Sequence, residues 1–339
     1  VSGEALRTAR ETAAVFPLAD RALLAVRGAD RTRFLQGQLT NDVAALDPAG
    51  PRSGCHALLL TAQGRIVADL HVLARPDAFW LETDAACAAA SVARLEKYVI
   101  ADDVRIDDRS DAWARFAVEG PRARALVAAA APGARLDLVP DAWAPLAIAG
   151  VEGVAAAFGW SGEDALQLFV PAGSRETVAR TLGEAARALA GAWGDAGDLE
   201  VLRVEAGIPR AGAELGEGVL PAEARLVERA VSFTKGCYTG QEVVARMHSR
   251  ARVGHLLVGV AFPSEAAPPA PGTPLLDEGV EVGELTSAAR SPRVGAIGLG
   301  FVRAARAEPG RALTCGGATA RIAELPFVTP GAGAGAAPP

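Results

Sequence analysis

The octapeptide Lys235-Gly236-Cys237-Tyr238-Thr239-Gly240-Gln241-Glu242 decides how the rest of the chain is read. Before it, Ala230-Val231-Ser232-Phe233 has the texture of a short buried strand. After it, Val243-Val244-Ala245-Arg246-Met247 opens a helix. Thr239 and Glu242 stand three apart ahead of the apolar run. That is the spacing of a capping box, in which each side chain satisfies an orphan amide of the first turn. Tyr238 and Val243 are placed for a hydrophobic staple. Cys237 then stands at a helix N-terminus, beside the Lys235 ammonium and a flexible Gly236. Dipole and ammonium both favour a thiolate, which makes Cys237 the candidate reactive residue. The alternative is an ordinary strand-to-helix turn with Cys237 as a small buried hydrophobe.

Upstream of this stretch the pattern is one of short strands and helices. Ala22 to Val26 reads as a strand ending at Gly28, and Asp30 caps a short helix that Gly37 ends. His56 to Leu60, Arg65 to Leu73 and Ala78 to Glu82 read as antiparallel strands joined by Ala62-Gln63-Gly64 and Arg75-Pro76-Asp77. Asp84 caps an alanine-rich helix to Tyr98, and a strand follows near Val104 to Ile106. Ala114 to Val118, Leu146 to Ala149, Val154 to Phe158 and Ala165 to Val170 repeat the strand pattern. Helices are expected after Gly120-Pro121, over Glu176 to Ala192, and from Asp198 to Glu205 with Gly207 as its stop. Downstream of Arg250 the texture is all strand, at Val253 to Ala261, Val280 to Leu285, Ala296 to Val302 and Ala318 to Ile322, as in a small β-barrel. The Gly/Ala/Pro tail from residue 329 to 339 has nothing to bury and is expected to be disordered.

The bulk numbers exclude some function classes. The 339 residues suffice for two or three domains. Half are hydrophobic and 22% charged, ordinary for a globular protein. No apolar run approaches the roughly 18 residues of a membrane span, and Val1 to Arg10 lacks the apolar core of a signal peptide. A net charge of −6 argues against direct nucleic-acid binding, which needs a basic patch. Cys55, Cys87, Cys237 and Cys315 form no C-x-x-C pair. The four histidines His56, His71, His248 and His255 show no metal spacing, so no metal site is expected. The unpaired thiols suit a reducing cytoplasm.

The motif K-G-C-Y-x-G-Q-E followed by V-x-A-R, ending at Arg246, resembles the signature of the YgfZ branch of the YgfZ/GcvT family. The resemblance continues at Phe34 to Val43, Glu119-Gly120-Pro121, Ser161-Gly162-Glu163-Asp164, Leu202 to Gly207, Val282 to Ser287 and Ser291-Pro292. It implies an α+β fold: a three-domain T-protein-like ring of mostly antiparallel sheets with flanking helices and a C-terminal β-barrel. The implied division is 1–50 plus 114–200 for a folate-binding first domain, 51–113 plus 201–250 for the second, and 251–328 for the barrel. It also implies tetrahydrofolate or a derivative as ligand. The role implied is that of a folate-binding accessory protein for maturation or repair of iron–sulfur enzymes, with those client enzymes or their assembly factors as partners. An effect on tRNA modification would then run through a client. The alternative is a tetrahydrofolate-dependent transferase resembling an aminomethyltransferase.

The same resemblance assigns residues. Glu163 matches the glutamate of a G-E-D turn that meets the donor-rich edge of the pterin. Arg203 matches the arginine of L-R-x-E-A-G, placed by the folate; its other reading is an ion pair with Glu200 or Glu205. Trp160 can stack on the ligand or belong to the core. Tyr238 and Gln241 complete the expected folate contacts, with Cys237 catalytic and Lys235, Gly236, Gly240, Glu242 and Arg246 as motif residues. In Gly64-Arg65-Ile66-Val67-Ala68-Asp69-Leu70, Ala68 replaces the first acid of the T-protein's D-D-L, and Cys237 replaces an aspartate. Losing carboxylates removes proton-handling groups, so glycine cleavage is expected to be the less favoured activity.

Overall fold

The computed structural model describes residues 3–250, 253–265 and 267–331. The chain opens with α1 (Glu4–Glu11), β1 (Ala14–Leu18), β2 (Arg21–Arg27) and α2 (Arg31–Gln38). β3 (Gly54–Leu60), β4 (Ile66–Ala74), β5 (Phe79–Asp84), α3 (Ala88–Glu96) and β6 (Arg105–Asp108) come next. Then follow β7 (Trp113–Glu119), α4 (Ala123–Ala130), β8 (Trp143–Ile148), β9 (Val151–Ala156), β10 (Ala165–Pro171), α5 (Arg175–Ala188) and β11 (Ala192–Trp193). α6 (Ala196–Ala206), α7 (Val227–Ala230) and α8 (Gln241–Arg250) lead to the last strands. These are β12 (His255–Ala261), β13 (Pro274–Asp277), β14 (Val280–Ser291), β15 (Gly295–Arg303), β16 (Ala312–Cys315) and β17 (Ala318–Ala323).

Three units result. The first sheet has the order β11-β1-β7-β10-β9-β8 and the second β3-β4-β5-β2-β6. A closed barrel runs β12-β15-β14-β13-β16-β17. The α+β class and the C-terminal barrel are as expected.

Alternation decides which residues meet. In the first sheet Val15, Phe116, Val118, Leu166 and Leu168 face Leu126, Val127, Val178 and Leu182 of α4 and α5. The opposite face carries Phe16, Ala117 and Phe169. They meet Leu73 and Trp80 of the second sheet, Leu202 and Val204 of α6, and the barrel's Leu257, Ile297 and Leu299. All three units therefore share one core. A buried phenylalanine contributes roughly 1.5–3 kcal/mol, so this junction is a packed core and not a hinge.

In the second sheet Ala57, Leu59, Ala68, Leu70 and Val72 pack with Phe34, Leu35 and Leu95 of α2 and α3. His56, Leu58, Asp69 and His71 lie on the other, inner face, since His56 pairs with His71 and Leu58 with Asp69 in register.

Several expectations are corrected. Residues 21–50 join the second sheet, because β2 pairs with β5 and β6; the first division falls near residue 20. The Ala230–Phe233 strand is not formed. α7 ends at Ala230, and Ser232 N donates to Thr40 O at 3.0 Å, leaving Phe233 45% exposed. The long helix stops at Ala188, and Ala190 takes a positive φ of 53° that lets β11 turn in beside β1. α1, β1, β13 and β16 lacked a sequence signal: Pro17 interrupts β1, Pro274 starts β13, and both break a strand pattern. The tail from residue 332 lies outside the described residues.

Candidate functional site

The 235–246 stretch works first as a clamp. Lys235 is buried, and its Nζ donates to Gln36 O, Leu39 O and Asn41 O at 2.7, 2.6 and 2.9 Å. Two of these carbonyls lie at or just after the end of α2, where a cation complements the helix dipole. Burial draws the ammonium down to about 8. Three donated bonds still need the charged amine, since a neutral amine has only two N–H groups. Thr239 N adds a bond to Gly37 O at 3.1 Å. Thr40 Oγ1 donates to Ala230 O and accepts from Leu58 N. The two stretches with the clearest sequence signature, 34–43 and 235–242, thus hold each other.

This corrects the local reading. The Lys235 ammonium belongs to carbonyls and not to the thiol of Cys237. α8 starts at Gln241, so the residue before it is Gly240, with φ +86°. Among the described residues the Thr239 hydroxyl makes no bond to the Glu242 amide, and the capping box is not formed there. A true one lies at Asp195 and Asp198, ahead of α6. Tyr238 is a core residue, packed with Leu58, Ile66, Leu226 and Val244, and burial pushes its phenol up to about 12. The staple partner in that cluster is Val244, while Val243 lies over Gly64. Gln241 is half-buried in the first turn; Gly236, Cys237, Glu242 and Arg246 are exposed. Cys237 is unpaired, and Cys55 and Cys315 are buried.

The remaining signature pieces form a buried polar network where the three units meet. Arg10 pairs with Glu163 at 3.1 Å and with Glu205 at 2.7 Å. Ser291 Oγ also donates to Glu205. Glu163 Oε2 accepts from the Gly331 amide at 3.0 Å, so both of its oxygens have protein partners. Arg203 uses all five of its N–H groups. Glu200 takes two at 2.9 and 2.6 Å, and Ile208 O, Glu214 and Ser287 Oγ take the others at 2.6, 3.0 and 2.7 Å. Burial opposes charge on Arg203, but Glu200 and Glu214 outweigh it and raise its pKa. Glu119 accepts from Trp160 N, Ser161 N and Ser161 Oγ, and burial raises its pKa against those bonds. Arg10, in an unforeseen helix, carried no motif to find it by.

A small cleft of about 60 Å³ opens beside this network, lined among others by Leu18, Arg21, Asp84, Trp160, Arg203 and Arg210. Arg21 lies 4.9 Å over the Trp160 ring. It grips Glu82 through two bonds of 2.6 and 2.7 Å and Asp84 at 2.8 Å. Trp160 and Arg203 line the cleft; Glu163, Tyr238 and Gln241 do not.

Past Arg21 and Glu82 the inner face of the second sheet continues into two histidines whose spacing in the sequence carries no signal. Glu82 is the register partner of His71. His71 stacks on Phe158 at 3.7 Å and on His56 at 4.9 Å between centroids. His71 Nδ1 meets Asp141 Oδ1 at 2.9 Å, and His56 Nε2 forms a short bond with Asp69 Oδ1. Ala68 is 1% exposed in the cluster under α2 and α3. The missing acid would therefore point away from this wall, and Asp69 is the acid that faces it.

The GCVT N-terminal domain model matches residues 1–235, and that of the glycine cleavage T-protein C-terminal barrel domain matches 256–328. An aminomethyltransferase of Rubrobacter xylanophilus is 30% identical, with 88% of this chain and 77% of that one covered. One from Streptomyces avermitilis is 31% identical, covering 89% and 82%. The crystal structure of the glycine cleavage system aminomethyltransferase T from Bartonella henselae superposes with a TM-score of 0.83 at 25% identity, covering 96% of this chain and 89% of that one. No helix among the described residues is long and apolar enough to cross a membrane. The chain belongs to the GCVT family, with the family's N-terminal domain followed by its C-terminal barrel.

Proposed function

We propose that the protein is a tetrahydrofolate-dependent one-carbon transferase of the aminomethyltransferase type. The observation that supports this is the cleft lined by Trp160, Arg21 and Asp84, with Asp69 near enough to act on the Arg21 charge. A pterin is a flat ring with a polar edge. An indole face supports such a ring, and a carboxylate such as Asp84 accepts from its amino edge. Arg210, 43% exposed at the side chain and paired with Glu200 at 3.2 Å, would turn from that partner to the tail carboxylates. Glu163 lies outside the cleft, held by Arg10 and the Gly331 amide, and Arg203 acts by holding Glu200 and Glu214 in place. Asp69 supplies the carboxylate for proton handling. Isothermal titration with tetrahydrofolate, followed by an assay for methylene transfer from an aminomethylated lipoyl carrier, tests the reading. Binding with transfer is expected; binding with no transfer would overturn it.

A second reading rests on Cys237, exposed and unpaired where the T-protein motif has an acid. It makes the protein a cytoplasmic, folate-binding accessory factor of iron–sulfur enzymes. Loss of client-enzyme activity in a Cys237→Ser strain, with no methylene transfer by the purified chain, would favour it.

A further inference from the structure

On the inner wall, His56 and His71 are held in parallel, 12° apart, each fastened at one nitrogen to its own carboxylate. Asp69 and Asp141 are each about one-fifth exposed at the side chain, while both imidazoles are buried. The second nitrogen of His56, Nδ1, is buried and has no hydrogen-bond partner. A buried orphan of this kind in a folded protein marks a place where a water, ion or ligand completes the site. Among the described residues no three such side chains converge as metal ligands. Two stacked imidazoles repel when both are charged, so the first proton is bound more tightly than the second.

We propose that His56 and His71 form a proton-reservoir pair, with Asp69 as the carboxylate that passes the proton between the pair and a ligand in the ring interior. This rests on the folate-transferase reading for the identity of the ligand. The step is a proton transfer and balances without a co-reactant. The His56 imidazolium gives its Nε2 proton to the Asp69 carboxylate, Asp69 passes it to a departing basic atom, and the attacking amine's proton returns through Asp69 to His56. His56 and His71 are positioning residues. Asp141 holds His71 in orientation, and Phe158 closes the far side of the stack. Charges facing the pair come from Asp69 on β4, Asp141 before β8, Arg229 on α7 and, as the register partner of His71, Glu82 on β5. Asp69 outweighs the desolvation of the imidazole, so His56 keeps its proton to higher pH than a free histidine.

The experiment is calorimetric titration of the full chain with tetrahydrofolate at pH 6 to 8, in buffers of different ionisation enthalpy, for wild type and His56→Gln. Wild type is expected to exchange a measurable fraction of a proton per ligand, and His56→Gln to bind without it. Equal proton exchange in both overturns the proposal, whether or not transfer activity is seen. If tetrahydrofolate does not bind, the folate reading falls and histidine-resolved NMR decides the pair. Two titration steps more than about one pH unit apart, both moved by Asp141→Asn, support it. One ordinary step for each ring, unmoved by that change, overturns it.

Discussion

Gly240 lies against Gly64. A Cβ on Gly240 would stand 2.7 Å from Thr61 O and 3.1 Å from Gly64 Cα, while one on Gly64 would stand 2.9 Å from Val243 Cβ. Both glycines have positive φ, at +86° and +73°. The β3–β4 turn and the start of α8 therefore touch backbone to backbone. Gly240→Ala and Gly64→Ala should each cost about 1–3 kcal/mol through strain and displacement. Urea melts of the two singles and the double should show coupling, because the sites share one contact.

Arg203→Ala should cost about 3–5 kcal/mol, since it leaves the fully buried Glu214 carboxylate without its cation. Arg203→Lys should recover only part, because five donors in a planar fork become three on a point charge. Equilibrium denaturation measures both. A change below ~1 kcal/mol in Arg203→Ala would mean that the network relaxes around the loss.

Asp195→Ala should destabilise by about 0.5–2 kcal/mol, through loss of the capping box ahead of α6. Thr239→Ala, ahead of α8, should change the melt by less than ~0.5 kcal/mol. A larger effect at Thr239 than at Asp195 would contradict the observed cap positions.

Cys237 should alkylate first in the native protein. It is exposed, whereas burial pushes the Cys55 thiol up to about 12 and the half-buried Cys87 up to about 11. Mass-spectrometric mapping of labelling time courses reads the order, and labelling of Cys55 ahead of Cys237 would refute it. Cys237→Ser should melt like wild type.

The His56–Asp69 pair gives stability a pH dependence at both ends. His56's proton affinity is raised by folding, because Asp69 prevails over a larger desolvation cost when its charge and hydrogen bond act together. Its contribution is fully present below its ordinary value of 6.5 and is lost as pH rises through the raised folded value. Asp69 is also desolvated, yet His56 and His71 lower it. Its contribution is present above 3.8 and is lost as pH falls through the lowered value. Denaturation midpoints of wild type and Asp69→Asn across pH 3 to 9 should converge at both extremes and separate most between them. A constant separation would rule the pair out as the source.

The sequence by itself determined most of the strands, because alternation and turn residues are local signals. Ala62-Gln63-Gly64 marked its turn, and Gly207 its helix end. The signature stretches also marked, as a resemblance, the segments that turn out to interlock, although their spacing alone did not say why. What the tertiary structure decided is partnership. Lys235 beside Cys237 in the chain reads as a thiol's neighbour, but its ammonium reaches three carbonyls some two hundred residues away. Glu163 and Arg203 read as open ligand groups, and folding supplies Arg10, Gly331, Glu200 and Glu214 to them. His56 and His71 stand on the two arms of one hairpin, at a spacing that matches no metal or catalytic motif. Only the antiparallel register of β3 and β4 sets them side by side on one face, with Asp69 on that face and Ala68 on the other. Side-chain direction in a strand alternates with every residue, so a single bulge or register choice settles which acid meets the interior.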